Sequence, residues 1–393
     1  MRYLLPLASL IQPVITLVLA FIQNSKKNTG YFLAFCIALG FSTIAMELQP
    51  TPDFDIYRQY RKFGTGYAEL SLLQTIDVAE PGYKLFNVLI WSIERLELPK
   101  HTLVFLFVFT YYYLIFSVFT NLKKYFLWDN NQHFIFLSLL TIWLNINFVD
   151  VTSNLRNPLA SSLMVYATYH LFFSKRYLLF IPLSLLAFLI HPFALSYSLI
   201  AIISYTFSNW SGKAKWLLYL AFCIALFNSY MSSEILSYLS IFEGYNWFKP
   251  VYFEDEFIED RVNRLNSLGI LTDKVIPSIP IILSYCYLIS NKAKPNNPLY
   301  LLLCGVFILF SIFIENHILV GRINLFFSIL FAIYLILELS NSNIRKKHKL
   351  FAITYFSSLC IYSLIYFFLY RDYIFSAFPK ALLPFLLVFF ETT

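Results

Sequence analysis

The chain has 393 residues, of which 59% are hydrophobic, 20% aromatic and only 13% charged, with a formal net charge of +7 and a mean hydropathy of +0.65. Water-soluble domains carry about 25% charged residues, so this composition excludes a soluble globular protein. The positive charge is scattered over short loops rather than gathered into a stripe, which also excludes nucleic-acid binding.

Apolar runs of about 17–25 residues are the mark of membrane-crossing helices. In chain order they fall at Leu4–Ile22, Tyr31–Met46, Leu103–Thr120, Phe134–Val149, Pro158–Phe173, Tyr177–Ile190, Phe193–Phe207, Trp216–Tyr230, Val275–Ser290, Leu299–Ile314, Ile318–Leu339 and Leu350–Tyr370. A last stretch, Ile374–Phe390, either crosses or lies in the interface. The fold expected is therefore all-α, a single polytopic membrane domain over residues 1–393 with roughly 12–13 crossings. The alternation of about ten residues per strand expected of a β-barrel is absent. No small-residue cleavage site follows the first run, so it is expected to stay as a helix.

Six short basic loops, Lys26–Lys27, Lys123–Lys124, Lys175–Arg176, Lys213/Lys215, Lys292/Lys294 and Arg345 to Lys349, fall on one side when these runs are threaded in order. The positive-inside rule makes that side cytoplasmic. The agreement requires two short passes between Tyr177 and Phe207, broken at His191-Pro192, where proline disfavours helix in the residue before it; a re-entrant pair is the alternative. The outer side then carries a first loop, 47–101, and a large acidic loop, 231–274. Within the first, Glu80-Pro81-Gly82-Tyr83 opens an amphipathic stretch through Leu96, with Phe86, Leu89, Ile90 and Trp91, that is expected to lie in the interface. The five cysteines, Cys36, Cys223, Cys286, Cys304 and Cys360, all lie in apolar segments without a CxxC and are expected to be buried packing residues.

Ionisable side chains at membrane depth are expensive and face a polar cavity or a partner. Arg156 precedes Asn157-Pro158, a pair that suggests N-cap followed by Pro at the first helical position. Arg156 would then stand just outside a helix N-terminus, whose free N–H groups and positive dipole end favour an anion. Its other reading is an ion pair with Asp150 or an interface anchor. Arg322 sits about one turn inside the helix after Glu315-Asn316-His317, and Gly321 before it would admit a ligand or a neighbouring helix; a salt bridge to Glu315 or to a loop carboxylate is the alternative. His191 stands between two apolar half-spans, as a general base, an oxyanion donor or a structural residue. Arg156, His191 and Arg322 are expected to converge on the outer face around a phosphate-bearing lipid. Asp53 and Asp55, two apart at the head of the first outer loop, suit a metal, a general base or a partner for arginines; alternatively they cap a helix near Ile56, with Arg58 as an ion partner. Glu80 and His317 are weaker site candidates, His317 with helix capping as its rival role. The chain has no P-loop, HExxH, GxSxG or Rossmann glycine pattern, so an activated donor is expected to arrive as a lipid. No cofactor and no metal is expected.

The succession DFDIYRQY from Asp53, EPGYKLF from Glu80, LRNPLASSL from Leu155, LLAFLIHPFAL from Leu185 and GRINLFF from Gly321 resembles the EpsG-like branch of the Wzy polysaccharide polymerases. The resemblance covers about Thr51 to Phe327, and it is the order of short motifs, more than any one of them, that carries it. It implies polymerisation of oligosaccharide repeat units carried on undecaprenyl pyrophosphate, at the periplasmic face of the bacterial inner membrane. It implies functional positions at Arg156, His191 and Arg322, with Asp55 and Glu80 behind them. Arg156 and Arg322 would hold the pyrophosphate, and His191, Asp55 or Asp53 would activate the acceptor hydroxyl. The partners implied are the lipid-linked oligosaccharide and membrane lipid, and a chain-length regulator is left open. Neighbouring chemistries are a single-sugar transferase using a lipid-phosphate donor and an O-antigen ligase. A transporter or flippase of the lipid-linked unit is the rival from another class, against which stands the lack of an internal repeat.

Overall fold

The computed structural model describes residues 70–78, 84–98, 101–122, 155–239, 276–290, 297–314, 317–339 and 346–369. Every regular element among them is helical, as the composition requires. The runs read at Leu4–Ile22, Tyr31–Met46, Phe134–Val149 and Ile374–Phe390 lie outside the described residues, as do Asp53, Asp55, Arg58, Glu80, Asp150 and Cys36. The chain divides into two compact units, one formed by residues 1–194 and 367–393, the other by Leu195–Tyr366.

In the first unit, α1 (Leu72–Val78), α2 (Lys84–Arg95), α3 (His101–Leu122), α4 (Arg156–Phe172) and α5 (Tyr177–Ile190) are described. Helix α1 was not anticipated, although Ser71-Leu-Leu-Gln74 carries its signal. Ser71 N–H donates to Gln74 Oε1 at 2.8 Å and Gln74 N–H to Ser71 Oγ at 3.3 Å, a reciprocal capping box. Helix α2 forms where the amphipathic stretch was read. Its apolar stripe, Phe86, Ile90 and Ile93, is buried against protein, and Phe86 meets Phe107 of α3 edge-on at 5.6 Å. Helix α4 packs mainly on α5 and α3, and α2 packs on α1, α3 and α5.

Helices α4 and α5 form a hairpin whose turn spans Phe173 to Arg176. Lys175 takes a left-handed φ of 54° there, and Arg176 N–H returns to the His170 carbonyl at 3.0 Å. Helix α5 is apolar on both faces. Phe180, Ser184, Ala187 and Ile190 point inward, while Leu178, Ile181, Leu185 and Leu189 point outward, Leu178 being 87% exposed. Such all-round apolarity with one face open suits a helix bordered by lipid.

The second unit begins within α6 (Ala194–Thr206) and continues through a short 3-10 helix (Ser208–Lys213), α7 (Lys215–Leu239), α8 (Ile276–Ser290), α9 (Pro298–Ile312), α10 (His317–Leu339) and α11 (Lys346–Leu369). Helix α7 runs to Leu239, past Met231, where the large outer loop was read to begin. Helix α9 is buried almost all round and packs on α7, α10, α8 and the 3-10 helix. Asn297 caps α9 by accepting from Tyr300 N–H at 3.1 Å, with Pro298 next in line. Asn297 N–H reaches Ser211 Oγ at 3.2 Å, and Tyr300 O–H donates to the Leu288 carbonyl at 2.8 Å. The Lys215 ammonium donates to the Ile289 carbonyl, placing a cation at the negative end of α8. Phe307 and Phe327 meet at 4.9 Å, and Phe331 and Tyr355 at 4.9 Å, so this interior is held by aromatic contacts.

Among the described residues, one helix is long and apolar enough to cross a membrane, Leu319–Glu338, with 20 residues and a hydropathy of 2.1. Other apolar helices, Tyr177–Ile190 and Pro298–Ile312 among them, are shorter. A 14-residue helix rises about 21 Å, against a hydrocarbon core of about 30 Å. The cysteine reading needs correction. Cys304 is buried, but Cys223 and Cys286 are exposed and Cys360 is intermediate, and all four are free thiols. Apolar surroundings in sequence do not imply burial when the outer surface of a helix is itself apolar.

Candidate functional site

Arg156 is the first residue of α4, and its N-cap is Leu155, whose backbone is already α-helical and makes no side-chain capping bond. This corrects the expectation that Asn157 caps the helix and leaves Arg156 outside it. Proline at the third helical position has no intrahelical N–H bond to lose, so the helix starts before it, and the first bond runs from Leu159 N–H to the Leu155 carbonyl at 3.3 Å. The guanidinium-bearing residue is 6% exposed and sits at the positive end of the α4 dipole. A buried cation and a helix N-terminus both favour negative charge at this point.

His191 terminates α5 in extended conformation, with φ −149° and ψ 118°, as a residue before proline should. The break expected at His191-Pro192 is therefore present. His191 holds it together through three bonds. Its N–H donates to the Ala187 carbonyl at 2.9 Å, its carbonyl accepts from Ala194 N–H at 3.0 Å, and its Nδ1 accepts from Phe193 N–H at 3.3 Å. A ring nitrogen that accepts a hydrogen bond carries no proton, so the neutral imidazole bears its proton on Nε2. Histidine in that form offers a donor at Nε2.

The hairpin brings Arg156 and His191 to the same end of the first unit. Counting from the turn, α4 climbs about 24 Å from Phe172 back to Arg156 and α5 about 21 Å from Tyr177 to His191, a difference of less than one helical turn. Both residues are buried, His191 at 8% exposed. A cation and an N–H donor at one end of a helix pair make an arrangement suited to phosphate oxygens.

Arg322 belongs to the second unit. Helix α10 begins at His317, which puts Arg322 in the second turn, where it is half-buried. Its carbonyl accepts from Tyr197 O–H at 3.3 Å, and the Tyr197 ring stacks on Phe326, one turn after Arg322, at 4.1 Å and 15°. Tyr197 was not singled out from the sequence; a lone tyrosine in an apolar helix gives no signal there. Gly321 does not serve close helix packing. It is exposed, and among the described residues no neighbouring side chain or other helix comes within 4 Å of where a Cβ would stand. Asn87, also unremarked in the sequence, lies 1% exposed on α2, and neither end of its carboxamide has a hydrogen-bond partner among the described residues.

The family model for the EpsG family matches residues 32–381, and the chain belongs to that family. That membership makes it a polysaccharide-polymerase-type glycosyltransferase of polysaccharide biosynthesis, in a family that is typically membrane-associated. No curated protein and no solved structure matches the chain.

Proposed function

We propose that this EpsG-family protein polymerises oligosaccharide repeat units carried on undecaprenyl pyrophosphate, at the outer face of the bacterial inner membrane. An acceptor hydroxyl at the non-reducing end of one lipid-linked unit attacks the anomeric carbon of another. The anomeric C–O bond breaks, the hydroxyl proton passes to a base, and lipid pyrophosphate leaves with the bonding electrons. The observation that carries the reading is the buried Arg156 at the N-terminus of α4, beside the end of α5 that bears His191. Charge develops on the pyrophosphate as the bond breaks, and a fixed donor aimed at it stabilises the transition state by several kcal/mol in a dry site.

Arg156 takes the pyrophosphate role because a guanidinium binds two phosphate oxygens in one plane, and Arg322 is a candidate for the same chemistry. The bond from Phe193 N–H to His191 Nδ1 supports His191 as an Nε2–H donor to phosphate rather than as the base. The base then falls to Asp55 or Asp53. Glu80, Arg58 and His317 are secondary candidates for substrate contact. With arginines supplying the positive charge, turnover needs no divalent metal. The outward apolar face of α5 and the span Leu319–Glu338 support a membrane-embedded catalyst fed by lipid-borne substrate.

Arg156→Lys keeps the charge and loses the planar fork. In a complementation assay it should collapse polymer length, whereas polymer of wild-type length would remove Arg156 from the pyrophosphate. Purified protein given a lipid-linked repeat unit should remain active in EDTA. A requirement for added divalent metal would instead give Asp53 and Asp55 a metal-binding role.

A further inference from the structure

All but one of the buried polar side-chain atoms that lack a hydrogen-bond partner among the described residues lie in the first unit. Buried polar groups in folded proteins find partners in protein, water or ligand, so each of these atoms calls for one. The strongest case is Asn87. It is 1% exposed, and both Nδ2 and Oδ1 are without a partner. Glu94, seven residues on, has a buried Oε1 that is likewise unpartnered.

Between them stands Trp91. Positions i, i+4 and i+7 span about 60° of a helix's circumference, so Asn87, Trp91 and Glu94 form one stripe of α2. It runs beside, and distinct from, the apolar stripe Phe86, Ile90 and Ile93 that packs into the unit. Trp91 is half-buried and its indole is held by a bond from Nε1–H to the Leu70 carbonyl at 2.9 Å. A carboxamide supplies a donor and an acceptor side by side, a carboxylate supplies acceptors only, and an oriented indole supplies a flat apolar face. Together these match a pyranose, which has adjacent hydroxyls on its rim and C–H groups on its face. A phosphate would be repelled by Glu94 and find no cation in the stripe.

We propose that Asn87, Trp91 and Glu94 form a saccharide-binding stripe on α2 that takes one sugar of the repeat unit. The assignment rests on the reading of the substrate as a lipid-linked glycan, and it separates the tasks within the first unit. Arg156 holds the lipid pyrophosphate, while the stripe holds the glycan and selects it by its hydroxyls.

The test uses full-length protein in nanodiscs and, as probe, the producing strain's repeat-unit oligosaccharide released from its lipid carrier by mild acid. The oligosaccharide should raise the melting temperature of the wild-type protein by mass action. Asn87→Leu removes the two unpartnered polar atoms and should melt at or above the wild-type temperature without probe, while its apparent affinity for the oligosaccharide falls at least tenfold. Trp91→Leu, at a half-buried position, should lose affinity likewise and carries the test if Asn87→Leu does not fold. Arg156→Lys should bind the carrier-free oligosaccharide as wild type does. Thus failure of the pyrophosphate reading shows in the polymer length of Arg156→Lys, and failure of the stripe shows here. The proposal is overturned if both leucine variants bind the oligosaccharide like wild type, or if the wild-type protein shows no shift.

Discussion

The role of His191 can be separated into a structural half and a chemical half, because its two ring nitrogens do different things. Nδ1 accepts from the buried Phe193 N–H, and Nε2 carries the proton. In His191→Ala both functions go. The orphaned N–H should cost about 1–3 kcal/mol of stability, and loss of a donor to a developing phosphate charge should lower turnover about 10²–10³-fold. His191→Asn keeps the first function, since an Asn side-chain oxygen accepts from the N–H two residues on in an Asx turn. It should therefore melt near wild type and turn over like the alanine variant. His191→Gln reverses the pattern. Its amide nitrogen reaches where Nε2 was, so turnover should recover part of the loss, while the Phe193 N–H remains unserved and the melting temperature falls. The assays are thermal unfolding in nanodiscs and polymer formation from a lipid-linked repeat unit. An inactive Gln variant alongside an equally inactive Asn variant would point to general-base chemistry, which an amide cannot perform. A fully active Asn variant would falsify any chemical role for Nε2.

Three further substitutions probe the frame. A Cβ on Gly305 of α9 would stand 2.7 Å from Ile200 Cγ2 of α6, so Gly305→Ala should destabilise by about 1–3 kcal/mol. Ile200→Ala in the same chain should recover part of that, and strict additivity in a double-mutant cycle would show that the two helices do not touch there. Asn297→Ala removes the cap of α9 and should cost about 1 kcal/mol, read as a lower denaturation midpoint; an unchanged midpoint would mean that the bond to Tyr300 N–H contributes nothing. Lys175→Gly should raise stability by about 1 kcal/mol, because glycine adopts the left-handed turn without the Cβ clash that lysine meets. A loss of stability would show that the lysine side chain outweighs the strain.

Most helices described here were visible as apolar runs, because the length of such a run depends only on local composition. Tyr177–Ile190 begins and ends where it was read, since a basic turn precedes it and His191-Pro192 follows. Chain ends of helices were less legible where two rules agreed in sequence but not in space. Asn-Pro occurs twice at a helix start. At Asn297-Pro298 the asparagine caps, whereas at Asn157-Pro158 the helix begins earlier and the pair sits inside its first turn. Proline is compatible with either position, so the dipeptide alone cannot choose. The family was legible in the succession of motifs, and the family model matching residues 32–381 bears that out.

What composition and local order determine, then, is that this chain is helical throughout its described length, apolar, and interrupted at His191. Which face of each helix turns inward was decided only by the tertiary structure. In α5 the outward Leu178, Ile181, Leu185 and Leu189 are no less apolar than the inward set, which includes Ser184, and Cys223 and Cys304 both lie in apolar runs yet only the second is buried. A soluble protein sorts its faces by polarity, and the sorting is written in the periodicity. Where the exterior is as apolar as the interior, that contrast vanishes, and shape and packing choose the partners instead. The same holds for Asn87 and His191, whose atoms acquire their meaning from the hydrogen bonds that packing denies to one and supplies to the other.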